Sequence, residues 1–257
     1  MAQPVIQFRD VSKVFRRANG RGDLLAVDKL SFEAAPGEIV AVLGKTGCGK
    51  STMFNLVAGL IEPSSGEVAV SGHDPFRDFE FFRGKVGIVF QGDRLMPWRT
   101  ALANVLLGLE ILDTEPSKAQ AVARGWLERL GLAGHENDYP HALSGGMRQR
   151  VSIARAFAVE PELLLCDEPF SSLDEMTARD LRAEFVRLVR QNGKTAVFIT
   201  HQIGEAMEIG DRVLVLHRPA RIAFETRMSQ AIDGAARQQI HQTILDVLAL
   251  EAPGASS

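Results

Sequence analysis

The sequence predicts an α/β fold, a parallel sheet covered by helices on both faces, with a helical stretch inserted into it. Three observations predict this. Glu38–Leu43 and Leu163–Cys166 are short, nearly all-apolar runs, as buried parallel strands are. Helical periodicities separate such runs from one another, as strand–helix–strand units require. Between Thr100 and Ala158 strand signals give way to helical ones, which marks the insertion.

The elements follow in chain order. Val5–Val11 alternates apolar and polar residues like a half-buried strand, and Leu30–Ala34 reads as a second. Pro36 and Gly37 make a turn into the buried strand Glu38–Leu43. A helix is expected over Lys50–Leu60, then strands at Glu67–Val70 and Val86–Phe90. Glu115 and Pro116 open a helix with Val122, Trp126, Leu127 and Leu130 on one face, and Gly131 ends it. After the strand Leu163–Cys166, Arg179–Arg190 is a helix with Leu181, Phe185, Leu188 and Val189 inward. Thr195–Thr200 and Arg212–Leu216 are strands. Met228–Leu250 reads as an amphipathic helix, with Ile232, Ile240, Ile244 and Val247 on one face, to pack on its own domain or to make a dimer contact.

Composition bounds the function. A chain of 257 residues, 46% of them apolar, can form one large core or two small ones. The formal charge of −3 carries no basic excess, so no nucleic-acid partner is expected. Two cysteines, Cys48 and Cys166, do not make a disulfide framework and read as reduced cytosolic thiols. No apolar run reaches the roughly 18–20 residues that cross a bilayer, and Arg9 and Asp10 stand where a secretory leader would be apolar. A soluble protein is expected, with any membrane role supplied by a partner chain.

Between the strand ending at Leu43 and the following helix lies Gly44-Lys45-Thr46-Gly47-Cys48-Gly49-Lys50-Ser51-Thr52, which matches G-x-x-x-x-G-K-[ST]. Glycines let successive backbone N–H groups converge on a polyanion, and the helix adds the positive end of its dipole. Lys50 would reach the β- and γ-phosphates of a nucleotide, and the Ser51 hydroxyl would bind Mg²⁺. This loop alone does not separate an ATPase from a GTPase or a kinase.

The apolar run Leu163–Cys166 ends in Asp167 and Glu168. At the C-terminal end of a strand both acids reach the crevice where open α/β sheets bind ligands. Asp167 would hold Mg²⁺ through water. Strand alternation sends Glu168 to the other side, to orient and deprotonate an attacking water, a role worth about 10²–10⁴-fold in rate.

Leu143-Ser144-Gly145-Gly146-Met147-Arg148-Gln149-Arg150 is a serine N-cap and glycines at a helix start, a second anion-ready N-terminus in one chain. It resembles the signature motif of the ABC ATPases. The resemblance runs over about Val5–Glu225. It implies a RecA-like P-loop NTPase core, an N-terminal antiparallel β subdomain and an α-helical subdomain at about 92–158. Together these form a nucleotide-binding domain over 4–226, with 227–257 as a C-terminal helix and tail. It also implies that Ser144, Gly145 and Gly146 complete the ATP pocket of a partner subunit, so that two ATP molecules lie in a head-to-tail dimer. By position, Gln91 resembles the Q-loop glutamine that senses Mg²⁺ and the γ-phosphate. Ser171–Asp174 resembles the D-loop at the dimer interface, and His201 the switch histidine on the γ-phosphate. Phe15 takes the place of the ring that stacks on adenine, usually a tyrosine; read from the residues alone it is equally a core residue of the first sheet. Lys45-Thr46 stands where the family often has Pro-Ser.

The loop Gly92–Thr100 (GDRLMPWRT) puts Leu95, Met96, Pro97 and Trp98 in a surface segment, as partner contacts do. Together with Leu216–Ile222 it is similar to the ATPases of nitrate, sulfonate and taurine importers. That resemblance implies a peripheral subunit on the cytoplasmic face of the inner membrane. Its partners would be a paired ATPase subunit, identical or not, integral membrane permeases and, indirectly, a solute-binding protein. A soluble, non-transport ABC ATPase is the alternative. Such proteins usually carry two ATPase domains or a long coiled coil, and this sequence has neither.

Overall fold

A computed structural model describes residues 3–16, 22–228 and 233–250. The chain forms two compact units: Met1–Phe79 together with Val197–Ser257, and Glu80–Ala196.

In the first unit, β1 (Ile6–Phe15) lies between β2 (Leu24–Ala34) and β4 (Ser65–Val70), antiparallel to both. Ile6 and Phe8 face inward, and Phe8 stacks on Phe32 at 4.8 Å between ring centroids. Strict alternation stops there. Asp10 takes a positive φ of 48°, the register shifts against both neighbours, and Val11 rather than Asp10 becomes the next buried side chain. This bulge lets a strand of ten residues keep its apolar face on one side despite two consecutive charged residues. Both strands extend beyond the sequence expectation, because Lys13–Phe15 and Leu24–Val27 pair with each other.

The second sheet of this unit runs β7 (Thr195–Thr200), β3 (Ile39–Gly44), β8 (Arg212–His217), β9 (Arg221–Arg227). The chain passes from the second unit into the first within β7. Every residue of β3 is buried, and it pairs with β8 in parallel, Gly44 opposite Leu216. The sheet is not purely parallel: β9 pairs antiparallel with β8. Its sequence, RIAFETR, carries three charges and buries alternate residues only in part. An edge strand with one wet face has this pattern, and the apolar-run criterion passes over it.

Helix α1 (Lys50–Val57) follows β3, and α6 (Ile203–Ile209) follows β7. Helix α7 (Gly234–Leu250) starts later than expected, and Ile232 lies outside the described residues. Ile244 is buried with Ala41, Leu43, Val213 and Val215, while Ile240 and Val247 pack against that cluster. The helix thus sits on its own unit, where the Val247 carbonyl lies 2.8 Å from His217 Nε2.

In the second unit β5 (Val86–Val89) pairs in parallel with β6 (Leu163–Asp167). The helices are α2 (Ala101–Ile111), α3 (Pro116–Arg129), α4 (Gly145–Ala158) and α5 (Glu175–Gln191). Trp126 of α3, Phe157 of α4 and Phe185 of α5 form an aromatic chain with centroid spacings of 5.0 and 6.2 Å. Arg150 of α4 donates to the Leu130 carbonyl at 3.1 Å, where α3 ends, and pairs with Glu184 of α5. Apolar packing and one arginine therefore close the three helices together.

Candidate functional site

In the first unit, the loop between β3 and α1 has its shape fixed from behind. Gly47 and Gly49 take φ of 81° and 111°, which L side chains rarely adopt. A Cβ on Gly49 would lie 2.5 Å from the Ala26 carbonyl oxygen and 2.7 Å from the Ala220 Cβ. A Cβ on Gly44 would lie 2.6 Å from Cys48 Sγ and 2.8 Å from the Leu216 carbonyl oxygen. Ala26 belongs to β2, and Ala220 to the turn between β8 and β9; Ala220 N–H donates to the Ala26 carbonyl at 2.9 Å. The wall behind the loop is thus built from two distant segments. Cys48 is buried there and fills space.

Lys50 opens α1 yet is only 7% exposed. Its Nζ donates to the carbonyls of Gly44 at 2.5 Å and Lys45 at 3.1 Å, so the loop curls around the ammonium. The N-cap residue Gly49 supplies no side chain to the helix N-terminus. A buried cation, two glycines at positive φ and a helix N-terminus without a side-chain cap fit a polyphosphate. Ser51, exposed in the first turn of α1, has the hydroxyl such a ligand's Mg²⁺ requires. Lys45, Thr46 and Gly47 are exposed along the loop rim, and Thr52 is half-buried.

His201 is exposed immediately after β7, the strand beside β3. The Thr200 hydroxyl at the same strand end donates to the buried Glu205 carboxylate and accepts from Gln202 N–H at 3.0 Å, fixing the turn that follows. Phe15, at the end of β1, is 36% exposed, and Lys13 Nζ lies 5.3 Å from its ring centroid. The ring is thus a surface group rather than a core one.

In the second unit, Val89 of β5 stands opposite Cys166 of β6. Gln91 therefore follows at the same sheet edge as Asp167 and Glu168. Asp167 ends β6, and Glu168 lies beyond it with a positive φ of 46°. Strand alternation does not direct the Glu168 side chain: its backbone has already left the extended conformation. The turn is locked by Ser171, whose N–H and hydroxyl both donate to the Glu168 carbonyl, at 3.2 and 3.0 Å. A left-handed backbone at a non-glycine residue costs energy, and such residues concentrate at functional sites. Burial, and next the neighbouring Asp167 charge, push the Cys166 thiol far up, so it stays protonated. Among the described residues no cluster of three or more His, Cys, Asp or Glu side chains forms a metal cage. A Mg²⁺ site of one carboxylate, neutral side-chain oxygens and phosphate oxygens needs none.

Ser144 caps α4 by accepting from Met147 N–H at 3.2 Å, which leaves its own hydroxyl proton to donate. Gly145 and Gly146 follow in the first turn. A Cβ on Gly146 would meet the Thr177 methyl at 2.7 Å, so this glycine is also a packing requirement against α5. Asp174 caps α5, accepting from Thr177 N–H at 3.0 Å. Thr177, first through its backbone and then its hydroxyl, holds the Asp174 carboxyl below its ordinary range.

The loop 92–100 divides. Leu95 is buried, so the apolar cluster is not wholly at the surface, while Trp98 is 73% exposed. Asn104, fully buried and not anticipated from the sequence, braces this loop. Its amide donates to the carbonyls of Met96, Arg99 and Thr100 at 3.2, 3.1 and 3.0 Å, and its Oδ1 accepts from Met96 N–H at 2.8 Å.

A glycine-rich loop around a buried lysine at a parallel strand–helix junction defines a P-loop nucleotide-binding protein. The ABC transporter family profile matches residues 27–171. An uncharacterized ABC transporter ATP-binding protein, YtlC of Bacillus subtilis, is 44% identical over 74% of this chain and 72% of its own length. The sulfate/thiosulfate import ATP-binding protein CysA of Gloeobacter violaceus is 43% identical over 77% of this chain and 57% of its own length. The nitrate import ATP-binding protein NrtC of Synechococcus elongatus is 39% identical over 77% and 30%. Among solved structures, the dimeric post-hydrolysis state of the ATP-binding cassette MJ0796 with ADP and Pi superimposes with a TM-score of 0.76. It is 32% identical and covers 87% of this chain and 99% of that one. The chain belongs to the ABC transporter ATP-binding family and is an ATPase of that family. Among the described residues no helix is long and apolar enough to cross a membrane.

Proposed function

We propose that this chain is the ATP-hydrolysing subunit of an ABC importer, working as a head-to-tail pair at the cytoplasmic face of the inner membrane. Lys50 with the loop 44–52 binds the phosphates of one ATP, and Ser144, Gly145 and Gly146 of a second subunit close over it. Phe15 stacks on the base. Ser51, Asp167 and Gln91 would hold Mg²⁺, which would supply positive charge to offset that developing on the γ-phosphate. Glu168 takes the proton of the attacking water, His201 contacts the γ-phosphate, and Asp174 fixes the start of α5 at the interface. Binding drives closure because ATP meets more donors in the closed pair than in the open one.

The observation that carries this reading is the pair of anion-ready helix starts in one chain. One surrounds Lys50. The other offers the Ser144 hydroxyl and has no lysine of its own within its first turn. A head-to-tail dimer gives each start the complement it lacks. The experiment is Glu168→Gln with ATP and Mg²⁺ on a sizing column with light scattering. A stable dimer is expected; a protein that stays monomeric at saturating ATP overturns the reading.

The importer assignment rests on Trp98, held outward by an internally braced loop, and on the likeness to proteins named for nitrate and sulfate import. The cargo is a small solute such as nitrate, a sulfonate or taurine. The partners are integral membrane permeases, with a solute-binding protein beyond them. Copurification of tagged Glu168→Gln protein from solubilised native membranes is expected to bring down a multi-span permease. Recovery of soluble proteins alone would favour a non-transport ABC ATPase.

A further inference from the structure

We propose that Asp93, Arg148 and Arg155 form a positioning clamp that ties the segment after Gln91 to α4, through Arg148 in its first turn and Arg155 in its last, so that Gln91 and Ser144 shift together. The functional meaning of the clamp rests on the ATPase dimer proposed above; its existence does not.

Arg148 Nε donates to Asp93 Oδ2 at 2.9 Å, and its Nη1 donates to the Leu143 carbonyl at 2.8 Å. One guanidinium thus grips both the residue two past Gln91 and the residue before Ser144. Arg155 lies seven positions on, two turns along the same helix face. It donates Nη1 to the Arg94 carbonyl at 2.8 Å and Nη2 to the Asp93 carbonyl at 2.9 Å. The other oxygen of Asp93 accepts from Leu95 N–H at 3.1 Å, which closes a tight turn in which Arg94 takes a positive φ of 45°. Asp93 is therefore held through both carboxylate oxygens and its carbonyl. Every one of these bonds serves either the 93–95 turn or the start of α4.

Helix α4 does not need these arginines to be seated. Val151, Ile153, Ala154 and Phe157 are all buried and anchor it by apolar contact. Neither does the downstream loop, which Asn104 braces separately. The clamp joins two chain segments more than fifty residues apart. Each of these segments carries, or directly adjoins, a group assigned to the nucleotide. A rigid fork of five donors can hold a carboxylate and a carbonyl at once; an ammonium cannot do so with fixed geometry.

Asp93→Asn keeps an acceptor for Leu95 N–H but removes the charge facing Arg148. Arg148→Met removes the fork and keeps an apolar stem, and Arg148→Lys keeps the charge without the fork, should the methionine variant fold poorly. Hydrogen exchange of the nucleotide-free subunit tests the clamp directly. Asp93→Asn should speed exchange at residues 144–148, and Arg148→Met at residues 93–96, each by about five- to tenfold. The double variant should be no faster than either single one. In a Glu168→Gln background, the ATP concentration for half-maximal dimerisation should rise by a similar factor, with ATP affinity of the single subunit changed less than twofold. Faster exchange confined to the substituted segment, or additive effects in the double variant, would overturn the clamp. Failure of Glu168→Gln to dimerise at all would sink the dimer reading, while the exchange data would still decide the clamp.

Discussion

Substituting alanine at Gly47 and at Gly49 separates two demands on one loop. Both residues take positive φ, so both substitutions carry the conformational cost of a left-handed L residue, about 1–2 kcal/mol. Only Gly49 adds a steric cost. Nothing lies within 4 Å of a Cβ at Gly47, whereas at Gly49 the new atom meets the Ala26 carbonyl oxygen at 2.5 Å and the Ala220 Cβ at 2.7 Å. Neither neighbour is a flexible side-chain end, so backbone must move. Overpacking of this kind costs about 1–3 kcal/mol, for a total near 2–5 kcal/mol. For a chain of this size 1 kcal/mol shifts the thermal midpoint by about 2–4 °C. Gly47→Ala should therefore lower the midpoint by roughly 2–8 °C and Gly49→Ala by roughly 4–20 °C, the latter the larger by several degrees. Scanning calorimetry or thermal-shift measurement without nucleotide reads this. Excess ATP should recover part of the loss in Gly47→Ala and less in Gly49→Ala. Equal midpoints for the two variants would refute the argument that β2 and the β8–β9 turn form the back wall of the loop.

Other outcomes follow from the same geometry. Asn104→Leu removes one acceptor and the donor to three carbonyls in a buried site. It should cost about 2–4 kcal/mol and shift Trp98 emission in a Trp126→Phe background; unchanged emission would mean that Asn104 does not brace the loop. Gly146→Ala should destabilise through the Thr177 methyl by about 1–3 kcal/mol, and Thr177→Ser should restore much of that. Activity that returned in full with stability would show that Gly146 matters for packing alone. The Asp174 carboxyl is held below its ordinary range by Thr177, so its stabilising contribution is present above the unfolded value near pH 4. That contribution is lost as pH falls through the lower folded value. The gap in thermal midpoint between the native chain and Asp174→Ala should therefore be widest at neutral pH and narrow towards pH 3. A gap independent of pH would rule out the charged cap.

Local chemistry alone determined much of this protein. The all-apolar β3 followed by G-x-x-x-x-G-K-S marks a phosphate loop, because few residue types can supply close backbone approach and a cation together. Glu115-Pro116 and Ser144 announce helix starts, because a cap is a short-range hydrogen bond. Tertiary structure decided what depends on residues far apart in sequence. Gly49 must be glycine because Ala26 and Ala220 stand behind it. Glu168 is aimed by a locked left-handed turn rather than by strand alternation. Leu95 goes inside while Trp98 stays out because Asn104 holds the backbone between them. The bulge at Asp10 and the edge strand β9 eluded periodicity for the same reason: their side-chain pattern is set by pairing partners that no local window contains.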